Sequence, residues 1–188
     1  LTAAKKKYEI PFKDYCIFIY HPVTTELEDL ESNIKNILKT IAVMDDNYVV
    51  IYPNNDPGSD IIIKQIEKLR NNDRFKIFPS IRFEHYLSLL KNSNYIIGNS
   101  SAGIREAGVY GIPAINIGSR QRNRSKRRGL INVSARKTEI IEGIKKAKKM
   151  RLKPNFEFGS GKCAHRLYKA LSTQKIWKTS TQKYFVDI

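Results

Sequence analysis

The sequence predicts an α/β fold: a doubly wound parallel sheet with helices on both faces. Three observations lead there. Short apolar runs alternate with longer stretches whose apolar residues recur at helical spacing. The short runs are rich in Ile, Val, Tyr and Phe and are bounded by turn-forming residues, as strands are. Each is followed by a helical pattern, the order of βαβ units, whose strands lie parallel. A chain of 188 residues supplies one such domain with a proper core, and is too short for two large ones.

The elements follow in order. Cys16-Ile-Phe-Ile-Tyr20 reads as a buried first strand. Leu27, Leu30, Ile34, Ile37 and Leu38 then recur at helical spacing, with Thr24 or Thr25 in place to cap the helix. Tyr48-Val-Val-Ile-Tyr52 is the second strand, and Ile61, Ile62, Ile66 and Leu69 mark a helix after Pro57-Gly58. Phe75-Lys-Ile-Phe78 is the third strand, followed by a short helix carrying Tyr86, Leu87, Leu89 and Leu90. Tyr95-Ile-Ile97, Ala114-Ile-Asn-Ile117 and Ile131-Asn-Val133 are the fourth, fifth and sixth strands. Ile140, Ile141 and Ile144 belong to another helix, and a last one runs near Cys163 and Leu171. The domain is expected over residues 1–172, with a polar tail over 173–188.

Composition narrows the function classes. The longest apolar runs are five or six residues, far short of a membrane span, and the first residues lack the apolar core of a signal peptide. Leu1 stands where a complete chain would open with Met, which predicts a piece of a longer protein. The cysteines, Cys16 and Cys163, have no His or Cys at zinc-cage spacing, so neither a metal nor a disulfide is expected and a reducing cytoplasm is. The formal charge of +16 favours anionic partners without choosing among nucleotides, nucleic acid and acidic membrane. Runs such as Lys145-Lys-Ala-Lys-Lys149 read first as solvated helix faces.

In a doubly wound sheet, ligands bind beyond the carboxyl ends of the strands. That rule directs attention to four loops. Gly98-Asn-Ser-Ser-Ala-Gly103 joins a strand to a helix through small and hydroxylic residues, which let an anion approach backbone N–H groups. Ser100 and Ser101 can donate to phosphate oxygens; the alternative is a plain helix cap. Glu106, further along, can accept both hydroxyls of a ribose diol or stand as an ordinary solvated glutamate. After the fifth strand come Arg120 and Arg124, whose guanidinium groups suit phosphate, in a stretch (120–128) that is otherwise a basic surface loop. His21 ends the first strand, where an imidazole can bond a phosphate or act as an acid, or simply lead into the helix. Asn54 lies in the turn-rich loop after the second strand, and Phe83 or Tyr86 can stack on a base or belong to the core.

Together these segments resemble the UDP-N-acetylglucosamine 2-epimerase family, and especially its hydrolysing, sialic-acid-pathway members. His21-Pro-Val-Thr-Thr-Glu26 is similar to the family's HPVT segment, and Tyr52-Pro-Asn-Asn-Asp-Pro-Gly-Ser59 to its PNxDxGS. Gly98-Asn-Ser-Ser-Ala-Gly-Ile-Arg-Glu-Ala107 is similar to GNSSxGxRE, and Gly111-Ile-Pro-Ala-Ile-Asn-Ile-Gly-Ser-Arg-Gln121 to GxPxxNxGxRQ. Two departures stand out. Asn123 occupies a position where the family usually has Gly, and Phe158-Gly-Ser-Gly161 replaces its YGDG.

The resemblance implies the C-terminal half of a GT-B-type enzyme, built from two Rossmann-like domains with the active site between them. It implies that Ser100 and Ser101 bind the diphosphate of UDP, Glu106 the ribose, and Arg120 and Arg124 phosphate. His21 becomes a catalytic-site residue at the departing UDP; Asn54 lies near the sugar or diphosphate, and Phe83 or Tyr86 near the uracil. The implied reaction eliminates UDP to a 2-acetamidoglucal and hydrates it to N-acetylmannosamine, without a cofactor. The implied partners are the UDP-amino-sugar substrate, an N-terminal domain that carries the acid–base carboxylates, and further copies of the full-length chain. Non-hydrolysing epimerisation and a UDP-2,4-diacetamido-trideoxy substrate are the enzymatic alternatives. A GT-B glycosyltransferase domain is disfavoured by the HPVT segment. A basic nucleic-acid-binding domain is the reading from another class, but no helix-turn-helix, RNA-recognition or zinc-finger signature accompanies the charge.

Overall fold

The computed structural model describes residues 1–182. It opens with α1 (Thr2–Lys7), β1 (Cys16–Ile19), α2 (Leu30–Ala42), β2 (Tyr48–Ile51), α3 (Ser59–Glu67), β3 (Phe75–Phe78) and α4 (Phe83–Lys91). Then come β4 (Ile96–Gly98), a 3-10 turn (Ser101–Gly103), α5 (Glu106–Val109), β5 (Ala114–Ile117), β6 (Leu130–Val133) and α6 (Lys137–Lys149). Two further helices, α7 (Cys163–Leu171) and α8 (Gln174–Trp177), close the sequence of elements.

The strands form one sheet in the order β3-β2-β1-β4-β5-β6, and every neighbouring pair is parallel. The chain builds outward from β1 to β3, then returns to place β4 on the other side of β1. The loops leaving β1 and β4 therefore run to opposite faces and open a crevice between them.

Alternation along each strand divides the core. Cys16, Phe18, Val50, Ile97, Ile115 and Ile117 pack against Ile34, Ile37 and Ile41 of α2, Ile62 and Ile66 of α3, and Ile140 and Ile144 of α6. Ile17, Ile19, Val49, Ile96 and Ala114 pack on the other face against Tyr86, Leu89 and Leu90 of α4, with Ala107 of α5. Strands covered on both faces are apolar at nearly every position, which explains the continuous runs in the sequence. Each fully buried Ile, Leu or Phe contributes roughly 1.5–3 kcal/mol before the entropy of ordering is subtracted.

Three local expectations change. α2 begins at Leu30 behind Asp29, so neither Thr24 nor Thr25 caps it, and Leu27 lies outside the helix at 39% exposure. The chain first makes tight turns, with Glu26 N–H donating to Val23 O and Leu30 N–H to Leu27 O. The single helix expected after Gly98 is instead a 3-10 turn and the four-residue α5. Gly103 and Gly108 both weaken helix there, and Gly103 packs its backbone against Ala114 of β5. α1 was not visible as a pattern; its six residues are too few for periodicity, and Ala4 is its buried contact with the second core face.

By contacts the chain divides into a unit of Leu1–Asn155 and a unit of Phe156–Ile188. The expected boundary at residue 172 falls within the second of these units. The second unit carries α7 and α8, neither with a buried residue. Of the expected tail over 173–188, residues 183–188 lie outside the described residues. Among the described residues no helix is long and apolar enough to cross a membrane.

Candidate functional site

The crevice between β1 and β4 is where the loops of interest meet. Gly98 ends β4 at φ +134°, and a Cβ there would stand 1.8 Å from the Ile19 carbonyl oxygen. Only glycine permits that approach. It lets the next residue, Asn99, donate its N–H to Ile19 O at 3.1 Å and turn its side chain across to the loop after β1.

Asn99 is 1% exposed, and every polar group it has is used. Its Oδ1 accepts from the backbone N–H of His21 at 2.7 Å, and its Nδ2 donates to the carbonyl of His21 at 2.8 Å. Its own carbonyl accepts from Arg120 Nη1 at 3.3 Å and from Gln121 Nε2 at 3.2 Å. The loops after β1, β4 and β5 are tied through this one residue. A second tie joins the same outer loops, because the Ser119 hydroxyl donates to the Glu26 carboxylate.

The β2 loop joins through His21. Nδ1 of the imidazole accepts from the backbone N–H of Asn54 at 3.1 Å and lies 3.0 Å from Asn54 Oδ1. A backbone N–H can only donate, so the neutral ring carries its proton on Nε2. If the ring protonates, Nδ1–H has Asn54 Oδ1 as its acceptor. Asn54 is itself oriented by donating from Nδ2 to Asp56 at 2.6 Å. Burial holds the His21 pKa below its ordinary 6.5, and the Arg120 guanidinium lowers it further, against the opposing effects of Asn54 and Asp56. His21 is therefore neutral at pH 7, with Nε2–H as a donor.

Ser100 caps the 3-10 turn by accepting from Ala102 N–H at 3.3 Å. That bond occupies a lone pair and leaves the hydroxyl hydrogen free to donate. Ser101 opens the turn and is exposed. So short a turn adds little macrodipole, and the Ala102 and Gly103 N–H groups already bond Ser100; what it offers an anion is chiefly its hydroxyls.

Glu106 begins α5 beyond the turn. Its Oε2 is buried without a hydrogen-bond partner, as is the phenol of Tyr86, whose pKa is raised by burial and by the Glu106 charge beside it. Tyr86 is 8% exposed within the core, whereas Phe83, at the start of α4, shows 61% of its surface. Of the two aromatics, Phe83 alone presents a ring face to solvent.

The structure thus brings His21, Asn54, Ser100 and Arg120 around one crevice and places Glu106 at the start of α5, beside Tyr86. Arg124 is exposed. Asn123 before it takes φ +60°, the left-handed conformation a glycine would adopt, so the departure keeps the turn's geometry. Asn99 and Gln121 were missed as site residues by sequence reasoning. Among the described residues no cluster of His, Cys, Asp and Glu is placed to hold a metal ion.

A family model described as UDP-N-acetylglucosamine 2-epimerase matches residues 1–172. The chain belongs to this family. It is 36% identical to the UDP-N-acetylglucosamine 2-epimerase of Neisseria meningitidis serogroup B over 192 residues, an alignment covering 100% of this chain and 51% of that one. It is 29% identical to the UDP-N,N'-diacetylbacillosamine 2-epimerase (hydrolyzing) of Legionella pneumophila, over 87% of this chain and 44% of the relative. The fold matches that of Methanocaldococcus jannaschii UDP-GlcNAc 2-epimerase, solved in complex with UDP-GlcNAc and UDP. The TM-score is 0.73 at 20% identity, over 92% of this chain and 49% of that one. The epimerase-family chain therefore has a GT-B-type domain and spans about half the length of the curated relatives it matches.

Proposed function

We propose that the chain is the UDP-binding, C-terminal half of a hydrolysing UDP-N-acetylglucosamine 2-epimerase. The observation that carries this reading is the convergence of His21, Asn54, Ser100 and Arg120 on the crevice between β1 and β4. The donors gathered there suit a diphosphate. The Ser100 and Ser101 hydroxyls, the Nε2–H of neutral His21 and the remaining guanidinium N–H groups of Arg120 all point to an anionic ligand class. The orphaned Oε2 of Glu106 suits a ribose hydroxyl, since a buried acceptor without a partner costs free energy until something donates to it. Phe83 supplies the exposed ring for a base.

In the proposed reaction UDP leaves from the anomeric carbon as the C2 proton is removed, and water then adds at C2 to release N-acetylmannosamine. Negative charge grows on the diphosphate oxygens as the bond breaks. Fixed donors aimed at that charge lower the barrier, and they serve best when oriented beforehand. The tied loops provide such orientation. Removing the C2 proton needs a base and hydration an acid–base partner; those carboxylates belong in this reading to the N-terminal half.

Titrating UDP into the chain tests the site. Arg120→Ala is expected to weaken binding by about tenfold to a hundredfold, and Ser100→Ala by about twofold to tenfold. If neither weakens it, the assignment is wrong. The name of the Legionella relative supports a second substrate reading, a UDP-2,4-diacetamido-trideoxy sugar. A product assay on the whole protein separates the readings: free N-acetylmannosamine, free diacetamido sugar, or UDP-N-acetylmannosamine from a non-hydrolysing enzyme.

A further inference from the structure

We infer that Asn99 is the positioning residue that sets His21 and Arg120 against each other, so that both address the same diphosphate. The inference rests on the UDP reading for its ligand, but its geometric core does not.

The bond pattern is specific to a carboxamide. Asn99 closes a two-bond ring on the peptide groups of His21, accepting at 2.7 Å and donating at 2.8 Å, across 78 residues of chain. Only a side chain with a donor and an acceptor side by side can do this. Aspartate would set an acceptor against the His21 carbonyl, and serine cannot span both groups. The opposite end of the same residue receives Arg120 and Gln121 on its carbonyl oxygen. Its N–H is pinned to Ile19, at the end of β1. The imidazole and the guanidinium thus share a rigid link only one residue long, fixed on the sheet edge and excluded from water.

A purely structural role would leave a different trace. Asn99 would then stabilise the loops, and its loss would lower the melting temperature without changing how His21 senses Arg120. In the positioning role, the Asn99 carboxamide holds the His21 peptide at a fixed place relative to Arg120, which bonds the Asn99 backbone carbonyl, so losing the carboxamide frees His21 and not Arg120. The charged groups facing His21 are Arg120 from the β5 loop and Asp56 from the β2 loop, so the Arg120 contribution can be isolated by substitution.

The test is a double-mutant cycle on the ligand-free chain, read by NMR titration of His21, one of three histidines. In the wild type, Arg120→Gln should raise the His21 pKa. In Asn99→Ser, and in Asn99→Asp should the first fold poorly, the same Arg120→Gln change should move it little or not at all. UDP affinity should fall about tenfold to a hundredfold in Asn99→Ser, with little added by Arg120→Gln. An unchanged Arg120 effect on His21 in a folded Asn99 variant would overturn the inference. So would additive losses of UDP affinity. If the wild-type chain binds no UDP but the titration cycle is non-additive, the UDP reading fails and the positioning role stands.

Discussion

Single residues in this domain do work that a neighbour in the alphabet cannot. Gly98 is the sharpest case, because a Cβ would overlap the Ile19 carbonyl. Gly98→Ala is expected to prevent folding or to cost more than about 3 kcal/mol, read by chemical denaturation. A variant of wild-type stability would show that β4 can shift away from β1. Asn123 allows a gentler comparison at φ +60°. Asn123→Gly should stay within about 1 kcal/mol of wild type, while Asn123→Val should lose about 1–2 kcal/mol. Equal stabilities for the two variants would mean the loop is free to take another conformation.

His21 makes a pH prediction at the same scale. Its folded pKa lies below the ordinary 6.5, so the unfolded chain binds the proton more readily. The stability of the neutral, half-buried ring is present above pH 6.5. It is lost as pH falls through that value toward the folded pKa. His21→Gln should therefore flatten the fall in stability between pH 7.5 and pH 5.5. Parallel pH profiles for the two proteins would contradict the assigned direction.

At the scale of elements, the amino ends of the strands hold a polar network of their own. Tyr95 donates to Asp46 at 2.9 Å and shares a 2.9 Å hydroxyl contact with Tyr48, and Lys148 of α6 pairs with Asp46 at 2.8 Å. This network fastens α6 beneath the sheet, at the edge opposite the candidate site. Tyr95→Phe leaves a buried carboxylate oxygen and the Tyr48 hydroxyl short of a partner. The expected loss is about 1–3 kcal/mol, which for a domain this size is a fall in Tm of roughly 2–10 °C. UDP affinity should not change; a parallel loss of binding would show that the two edges are coupled.

The elements also show what a sequence can and cannot reveal. All six strands were legible because a parallel strand buried on both faces leaves a short apolar run. The helices α2, α3, α4 and α6 were legible through their periodicity. The continuous helix after Gly98 was not found. Gly103 packs against Ala114 of β5 and Gly108 against the Arg127 side chain, contacts that no local pattern along the chain displays.

For the whole molecule, the proposed division of labour makes the plainest prediction. In the proposed reading the crevice supplies donors for a leaving diphosphate, while the carboxylates of Asp56 and Glu26 are engaged by Asn54 and Ser119. The chain by itself should bind UDP and show no epimerisation. Measurable turnover by these 188 residues would place the proton chemistry within them.

Sequence alone determined the order of elements, the fold class and the four loops worth attention. Those follow from local periodicity and from the rule that ligands gather at strand carboxyl ends. Tertiary structure decided which residues in those loops act together. His21 and Asn99 are 78 residues apart, and Arg120 lies beyond the next strand. No pattern along the chain encodes such a meeting. It is set by the sheet order, which places β4 beside β1 and brings the two loops to one crevice.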